Sequence, residues 1–288
     1  MTPQVSFEFY PPKTLDASFR LWDTVQMLAP LDPSFVSVTY GAGGATRKLT
    51  HEAVEAIGRN TSLSVAAHLT CINATRAETL EIARGYAKAG VRELVAVRGD
   101  PPKGQGAFAP APGGFASSVE LIEALKGTGD FHIRVGAYPD PHPESRGADA
   151  DIAYLKRKFD AGADTAITQF FFEAETFFRF RDRCAKAGID PARLIPGVLP
   201  VEDWTRASRF AAACGAHVPA ELDVAFRRAI RDDREELMAI AVCSELCADL
   251  VEGGAESLHF YTLNKPALTR EVCAALGIAP KAELAKVA

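Results

Sequence analysis

No C-x-x-C pair occurs among the six cysteines Cys71, Cys184, Cys214, Cys243, Cys247 and Cys273, so buried free thiols are the expected state. Cys243 and Cys247 stand four apart, but no histidine or carboxylate pair completes a ligand set, and no metal site is expected. No apolar run approaches the roughly 20 residues of a membrane span, and the polar start Met1-Thr2-Pro3-Gln4 does not read as a signal peptide. A cytoplasmic protein without a membrane partner is therefore expected. Charge of one sign is also lacking: 32 basic against 37 acidic residues, mixed throughout, give −5 and no footprint for nucleic acid. Complete phosphate motifs are missing too. Gly41-Ala42-Gly43-Gly44-Ala45-Thr46 lacks the third glycine of the dinucleotide fingerprint, and Gly104 is followed by Gln105 where a P-loop needs lysine.

What is present is a regular alternation. Apolar runs rich in Val, Ile and Phe at 5–10, 35–40, 63–69, 94–98, 133–138, 166–171, 194–199 and 258–261 read as eight strands. Between them, segments such as 16–28, 78–89, 149–161 and 175–187 carry apolar residues at helical spacing. This β-then-α order predicts a (β/α)8 TIM barrel, a fold in which 288 residues form a single catalytic domain, 1–288. The helical stretch 204–251, broken near 215–219, predicts an extra helix between strands seven and eight. The Pro-, Gly- and Ala-rich segment 101–115 predicts a mobile loop over the barrel mouth.

Alternation along strands places the chemistry. In the first strand Val5, Phe7 and Phe9 should face the helices, which turns Ser6, Glu8 and Tyr10 into the barrel. Val36 and Val38 oppose Ser37 and Thr39 in the second, and Val65 and Ala67 oppose Ala66 and His68 in the third. Later strands end on Arg98-Gly99-Asp100, Tyr138, Gln169 and Tyr261. Burying an unpaired carboxylate costs several kcal/mol, so Glu8 inside a barrel points to a site, and C-terminal strand ends are where barrels place catalytic groups. Blander roles remain open: Glu8 in a buried ion pair with Arg98, His68 as a satisfied core histidine, Gln169 and Thr39 bonding backbone. On the fifth helix Asp151, Tyr154 and Lys158 share a face, although Lys156-Arg157-Lys158 by default reads as a solvated run.

These blocks, Val5-Ser6-Phe7-Glu8-Phe9-Tyr10-Pro11-Pro12, Phe35-Val36-Ser37-Val38-Thr39-Tyr40-Gly41-Ala42, Ala67-His68-Leu69-Thr70-Cys71, Arg98-Gly99-Asp100, Leu155-Lys156-Arg157-Lys158, Ile167-Thr168-Gln169-Phe170-Phe171-Phe172 and His259-Phe260-Tyr261-Thr262-Leu263-Asn264, stand in the order of the methylenetetrahydrofolate reductase family, which the chain resembles in its short bacterial form from about Val5 to Leu276. The resemblance implies FAD as cofactor, NADH or NADPH as reductant, and ping-pong hydride transfer to 5,10-methylenetetrahydrofolate, giving 5-methyltetrahydrofolate for methionine supply. It implies Glu8 as general acid, with a carboxyl raised by its apolar strands, and Asp100 as the electrostatic residue beside flavin and folate. It assigns Thr39, Tyr40, Ala42, His68, Arg98, Gly99, Asp100, Ala116, Tyr138, His142, Asp151, Tyr154, Arg157 and Lys158 to FAD, and Asp100, Gln169, Phe210 and Lys265 to substrate. It also implies a homo-oligomer.

The sequence departs from the family pattern at three places: Lys265 stands for an arginine, Phe115 for a tyrosine and Arg206 for a glutamine. These bear on the substrate's acidic tail and on cofactor preference. The chain stops at Ala288, so the regulatory domain of the long eukaryotic form, and inhibition by adenosylmethionine, are not expected. A folate-binding barrel without redox activity and a flavin barrel oxidising an amino acid are the rival readings; retention of Glu8 and Asp100 argues against the first, and the second would need basic residues for a small carboxylate and has no reason for the Glu8 acid.

Overall fold

The computed structural model describes residues 2–41, 46–100 and 108–281. Among these residues nine parallel strands run β1 (Gln4–Phe9), β2 (Phe35–Val38), β3 (Val65–Thr70), β4 (Glu93–Val97), β5 (His132–Ala137), β6 (Thr165–Thr168), β7 (Leu194–Ile195), β8 (Gly197–Val198) and β9 (Ser257–Tyr261). Their order is β7-β6-β5-β4-β3-β2-β1-β9-β8. The two ends of that sheet, β7 and β8, are halves of one segment, so the sheet closes on itself as an eight-fold barrel. The interruption is Pro196, which has no N–H to give the ladder; its carbonyl still accepts from His259 N at 3.0 Å.

Among the described residues ten α-helices surround the barrel: α1 (Leu15–Leu28), α2 (Arg47–Asn60), α3 (Arg76–Lys88), α4 (Ser118–Lys126), α5 (Ala148–Asp160), α6 (Ala174–Lys186), α7 (Trp204–Cys214), α8 (Ala220–Arg231), α9 (Glu235–Glu252) and α10 (Pro266–Ala275). Their starts follow local chemistry. Thr14 accepts from Ala17 N, Thr75 and Glu78 form a reciprocal capping box, and Asp203 accepts from Arg206 N. The stretch after β8 breaks at Gly215, as expected, and again at Asp233, whose φ of 54° stops α8. It therefore holds three helices, two more than the β/α repeat requires. No helix among the described residues is long and apolar enough to cross a membrane.

Two apolar regions result. The larger lies between sheet and helices and contains Val5, Phe7, Phe9, Val36, Val38, Leu69, Leu94, Ile133, Val135 and Phe260. The smaller fills the barrel itself with Phe35, Ala66, Val95 and Ile167, against which Val97, Ile195 and Tyr261 pack. This interior plug covers the second face of β2, β3, β4 and β6, whose inward positions at this level are apolar. Below the plug Arg134 is buried, ion-paired with Glu93, and lies 3.7 Å from the Phe35 ring centre.

Gly197 and Gly99, both at the barrel rim, are dictated by close approach. A Cβ on Gly197 would meet Thr168 O at 2.1 Å and Tyr261 Cε2 at 2.7 Å. Gly99 has φ +84°, and a Cβ there would meet Ile72 Cγ2 at 2.9 Å. Five cysteines are buried and Cys214 is half-buried, all as free thiols, as expected from their spacing.

Candidate active site

The β1 register is as the alternation predicts. Phe7 and Phe9 are fully buried in the outer core, and Glu8 enters the barrel with its side chain 14% exposed. Its partner is not Arg98. Glu8 Oε2 lies 3.2 Å from His68 Nε2 on β3 and 3.8 Å from His259 Nε2 on β9. Neither imidazole Nε2 makes a well-formed hydrogen bond, so two buried nitrogens and one carboxylate meet with bonding capacity in reserve. Ser6 Oγ lies 2.8 Å from His259 Nδ1, and the ring stacks on Phe35 with centroids 5.5 Å apart.

The expectation of a raised Glu8 pKa is corrected by this setting. Burial does push the carboxyl up, but the polar contacts and charges of His259 and His68 outweigh it and bring the group down to about 2. The sequence showed apolar neighbours on β1 itself and not the two imidazoles contributed by other strands. Burial in turn holds the His259 imidazole below its ordinary value, against the opposing pull of Glu8. In the free protein Glu8 is therefore a carboxylate near neutral pH.

Beside this cluster, at the same C-terminal rim, a cavity of ≈ 400 Å³ opens between the ends of β3, β4 and β5 and the inner face of α5. That size lies in the usual range for small-molecule sites. Tyr40, Arg98, Gly99, Asp100, Tyr138, His142, Asp151, Tyr154 and Lys158 line it, nine of the residues expected there. Lys158 is buried, its Nζ donates to Gly136 O at 2.7 Å, and burial brings its pKa down to about 8. The neighbouring Lys156 pairs with Asp160 at the surface and Arg157 is exposed, so the basic triplet splits into two solvated residues and one cavity cation. Arg98 is held by Glu144 at 2.7 Å and stands 3.8 Å from Asp100. Burial raises Tyr138 to about 12, keeping its phenol protonated.

Other expected residues lie outside the cavity lining. Thr39 bonds backbone, with its N–H to Phe9 O at 2.9 Å, and His68 turns to Glu8. Ala116 is exposed in the β4–α4 connection, where its N–H donates to Glu120 Oε2. Ala42 and 101–107, the first seven positions of the expected mobile loop, are outside the described residues. The end of that segment is not loose: Phe115 is fully buried beneath Arg76.

On the β6, β8 and β9 side, Gln169 accepts from Phe170 N at 3.1 Å. Phe210 on α7 stacks on Phe170 with centroids 5.3 Å apart and stays 43% exposed, an aromatic surface offered to the mouth. Lys265 is paired with Glu202 at 2.7 Å, and Arg206 with Asp203 at 3.1 Å. Sequence reasoning missed Glu144, Ser118 and His259 as site residues. Only His259 left a signal, since Ser257, His259 and Tyr261 alternate inward along β9.

The fold and rim define a β/α-barrel enzyme with a buried carboxylate–imidazole cluster beside a cation-bearing cavity. The methylenetetrahydrofolate reductase family model matches residues 1–277, and the chain belongs to that family of oxidoreductases. The 5,10-methylenetetrahydrofolate reductases of Salmonella typhimurium and Escherichia coli are 43% and 44% identical, over 96% of this chain and 91% of theirs. Methylenetetrahydrofolate reductase (NADH) 1 of Arabidopsis thaliana is 36% identical, over 90% of this chain and 46% of its own. Among solved structures, a Clostridium thermocellum protein that binds two copies of 5-methyl-5,6,7,8-tetrahydrofolic acid shares the fold at TM-score 0.65 and 12% identity, covering 96% of this chain and 94% of that one.

Proposed function

We propose that this protein reduces 5,10-methylenetetrahydrofolate to 5-methyltetrahydrofolate, with FAD as cofactor and NADH as reductant, in two half-reactions that use one site in turn. The observation that carries the reading is the juxtaposition of the Glu8–His68–His259 cluster with the cation-bearing cavity in a chain of this family. The cavity residues fit the flavin: Lys158 and Arg98 suit a pyrophosphate, and Tyr40, Tyr138 and Tyr154 offer aromatic and hydroxyl contacts to the rest of the group. FAD, when bound, carries the hydride between nicotinamide and folate.

The protein's own residues do the rest. Glu8, resting as a carboxylate, takes up a proton at Oε2 when a bound ring displaces the remaining solvent, since desolvation favours its neutral form. That proton comes from solvent, and the His68 and His259 Nε2 atoms, 3.2 and 3.8 Å from Oε2, hold the carboxyl in place. Glu8 then donates it to the N10 side of the folate, promoting ring opening, and Asp100 stabilises the cation that develops. Phe210 provides a stacking face for the planar substrates, and Lys265, once released by Glu202, meets the acidic tail. The family resemblance supports a cytoplasmic homo-oligomer.

The direct test is the visible spectrum of the purified protein. Flavin bands that bleach with NADH and return with methylenetetrahydrofolate are expected; a protein colourless even after FAD is supplied would overturn the reading. Lys158→Met is expected to weaken FAD binding by roughly tenfold or more, the loss of a charge-assisted contact, as measured by flavin fluorescence on titration. Because the Lys158 cation is lost as pH rises past about 8, FAD affinity in the wild-type protein should fall between pH 7 and 9, and this fall should vanish in Lys158→Met. Asp100→Asn is expected to slow folate reduction without releasing the flavin; loss of flavin with unchanged fold would count against its electrostatic role.

A further inference from the structure

The turn after β9 is more tightly specified than a connection to α10 requires. Thr262 Oγ1 donates to Glu8 O at 2.6 Å, Asn264 Nδ2 donates to Tyr10 O at 3.0 Å, and Tyr10 N donates to Asn264 Oδ1 at 2.9 Å. The Asn264 amide thus engages both backbone groups of Tyr10, two residues beyond Glu8. To reach them the chain takes the left-handed region at two successive non-glycine residues, Leu263 with φ 51° and Asn264 with φ 54°. Leu263 is 36% exposed, so little apolar burial offsets that conformation. Strain of this kind persists where the surrounding bonds over-determine it, and it clusters at functional sites.

We infer that Asn264 is a positioning residue for Glu8. β1 and β9 already pair in register up to Glu8 and Tyr261, so the last ladder contact falls at Glu8 itself. Beyond it the Asn264 amide substitutes for the missing ladder, and together with Thr262 it fixes the backbone immediately C-terminal to the Glu8 side chain, as the ladder fixes it on the other side. That sets the 3.2 Å approach of its carboxylate to His68. Asparagine suits the position chemically: it offers one donor and one acceptor to a C=O and an N–H, and it tolerates the left-handed region. Aspartate would keep only the acceptor and alanine neither.

This inference rests on the reading of Glu8 as general acid, and the experiment separates the two. Asn264→Gly removes the amide while easing the backbone, so its Tm should be unchanged or slightly higher. Flavin reduction by NADH should be unchanged, and reduction of methylenetetrahydrofolate in single turnover should fall at least tenfold, with its pH profile displaced. Without flavin, 13C NMR of glutamate-labelled protein, assigned by difference from Glu8→Gln, should show the Glu8 carboxyl titrating higher in Asn264→Gly than in wild type. Asn264→Asp should show an intermediate defect. An unchanged folate rate and Glu8 titration in Asn264→Gly, or equal losses in both half-reactions, would overturn the inference. If Glu8→Gln itself turned over folate normally, the reading of Glu8 would fall instead.

Discussion

Glu8→Gln is expected to leave FAD binding and its reduction by NADH nearly intact while reduction of methylenetetrahydrofolate falls by roughly 10² or more, the scale of a lost general acid. The separation follows from geometry. Glu8 faces His68 and His259 and does not line the cavity that suits the flavin, so the substitution removes a proton without removing a cofactor contact. Stopped-flow absorbance of the two half-reactions reads the difference, and normal folate turnover in the variant would sink the assignment.

The same substitution has a signature in stability. The folded-state pKa of Glu8, about 2, lies below its ordinary value of 4.5, so the unfolded chain binds the proton more readily. Its stabilising contribution is therefore fully present above about pH 4.5 and is lost as pH falls towards 2. Wild-type protein should exceed Glu8→Gln in stability by the largest margin above pH 5, and the margin should close on acidification. A margin independent of pH would mean that the imidazoles do not stabilise the carboxylate.

Gly197→Ala is expected to be the most damaging single-methyl change in the barrel. The added Cβ would stand 2.1 Å from Thr168 O, a backbone atom that already accepts from Tyr261 Oη at 2.7 Å. Gly197 N is meanwhile fixed to Thr168 Oγ1 at 2.9 Å. Neither side can give way without opening the junction where β8 closes the sheet. A cost of about 3 kcal/mol is expected for such overpacking. At roughly 2–4 °C per kcal/mol for a large domain, Tm should drop by about 6–12 °C in calorimetry. Gly85→Ala in α3, where a Cβ meets nothing within 4 Å, is the control and should be neutral or mildly stabilising. Equal melting temperatures for the two variants would refute the close approach.

The sequence by itself determined the repeat and the rim. Val5, Phe7 and Phe9 alternate with Ser6 and Glu8 because successive side chains leave opposite faces of a strand, and that local rule needs no knowledge of neighbours. The shared face of Asp151, Tyr154 and Lys158 follows equally from helical geometry, and all three do line the cavity. Helix count between the last two barrel strands was less legible, because Asp232-Asp233-Arg234 carries neither glycine nor proline and only the φ of Asp233 marks the break.

What only the tertiary structure decided is who faces whom across the barrel. Glu8, His68 and His259 come from β1, β3 and β9, separated by 60 and 251 positions, and the closing of the sheet brings them to one point. Periodicity states which way a side chain points, but strand tilt and barrel closure set the level at which side chains from different strands meet. For that reason the carboxyl's inward direction could be read from β1 alone, whereas its lowered pKa could not, since the charges that lower it belong to other strands. The pairing of Arg98 with Glu144 and of Lys265 with Glu202 has the same origin: loops that are remote in sequence share one rim only because the strands beneath them form a closed ring.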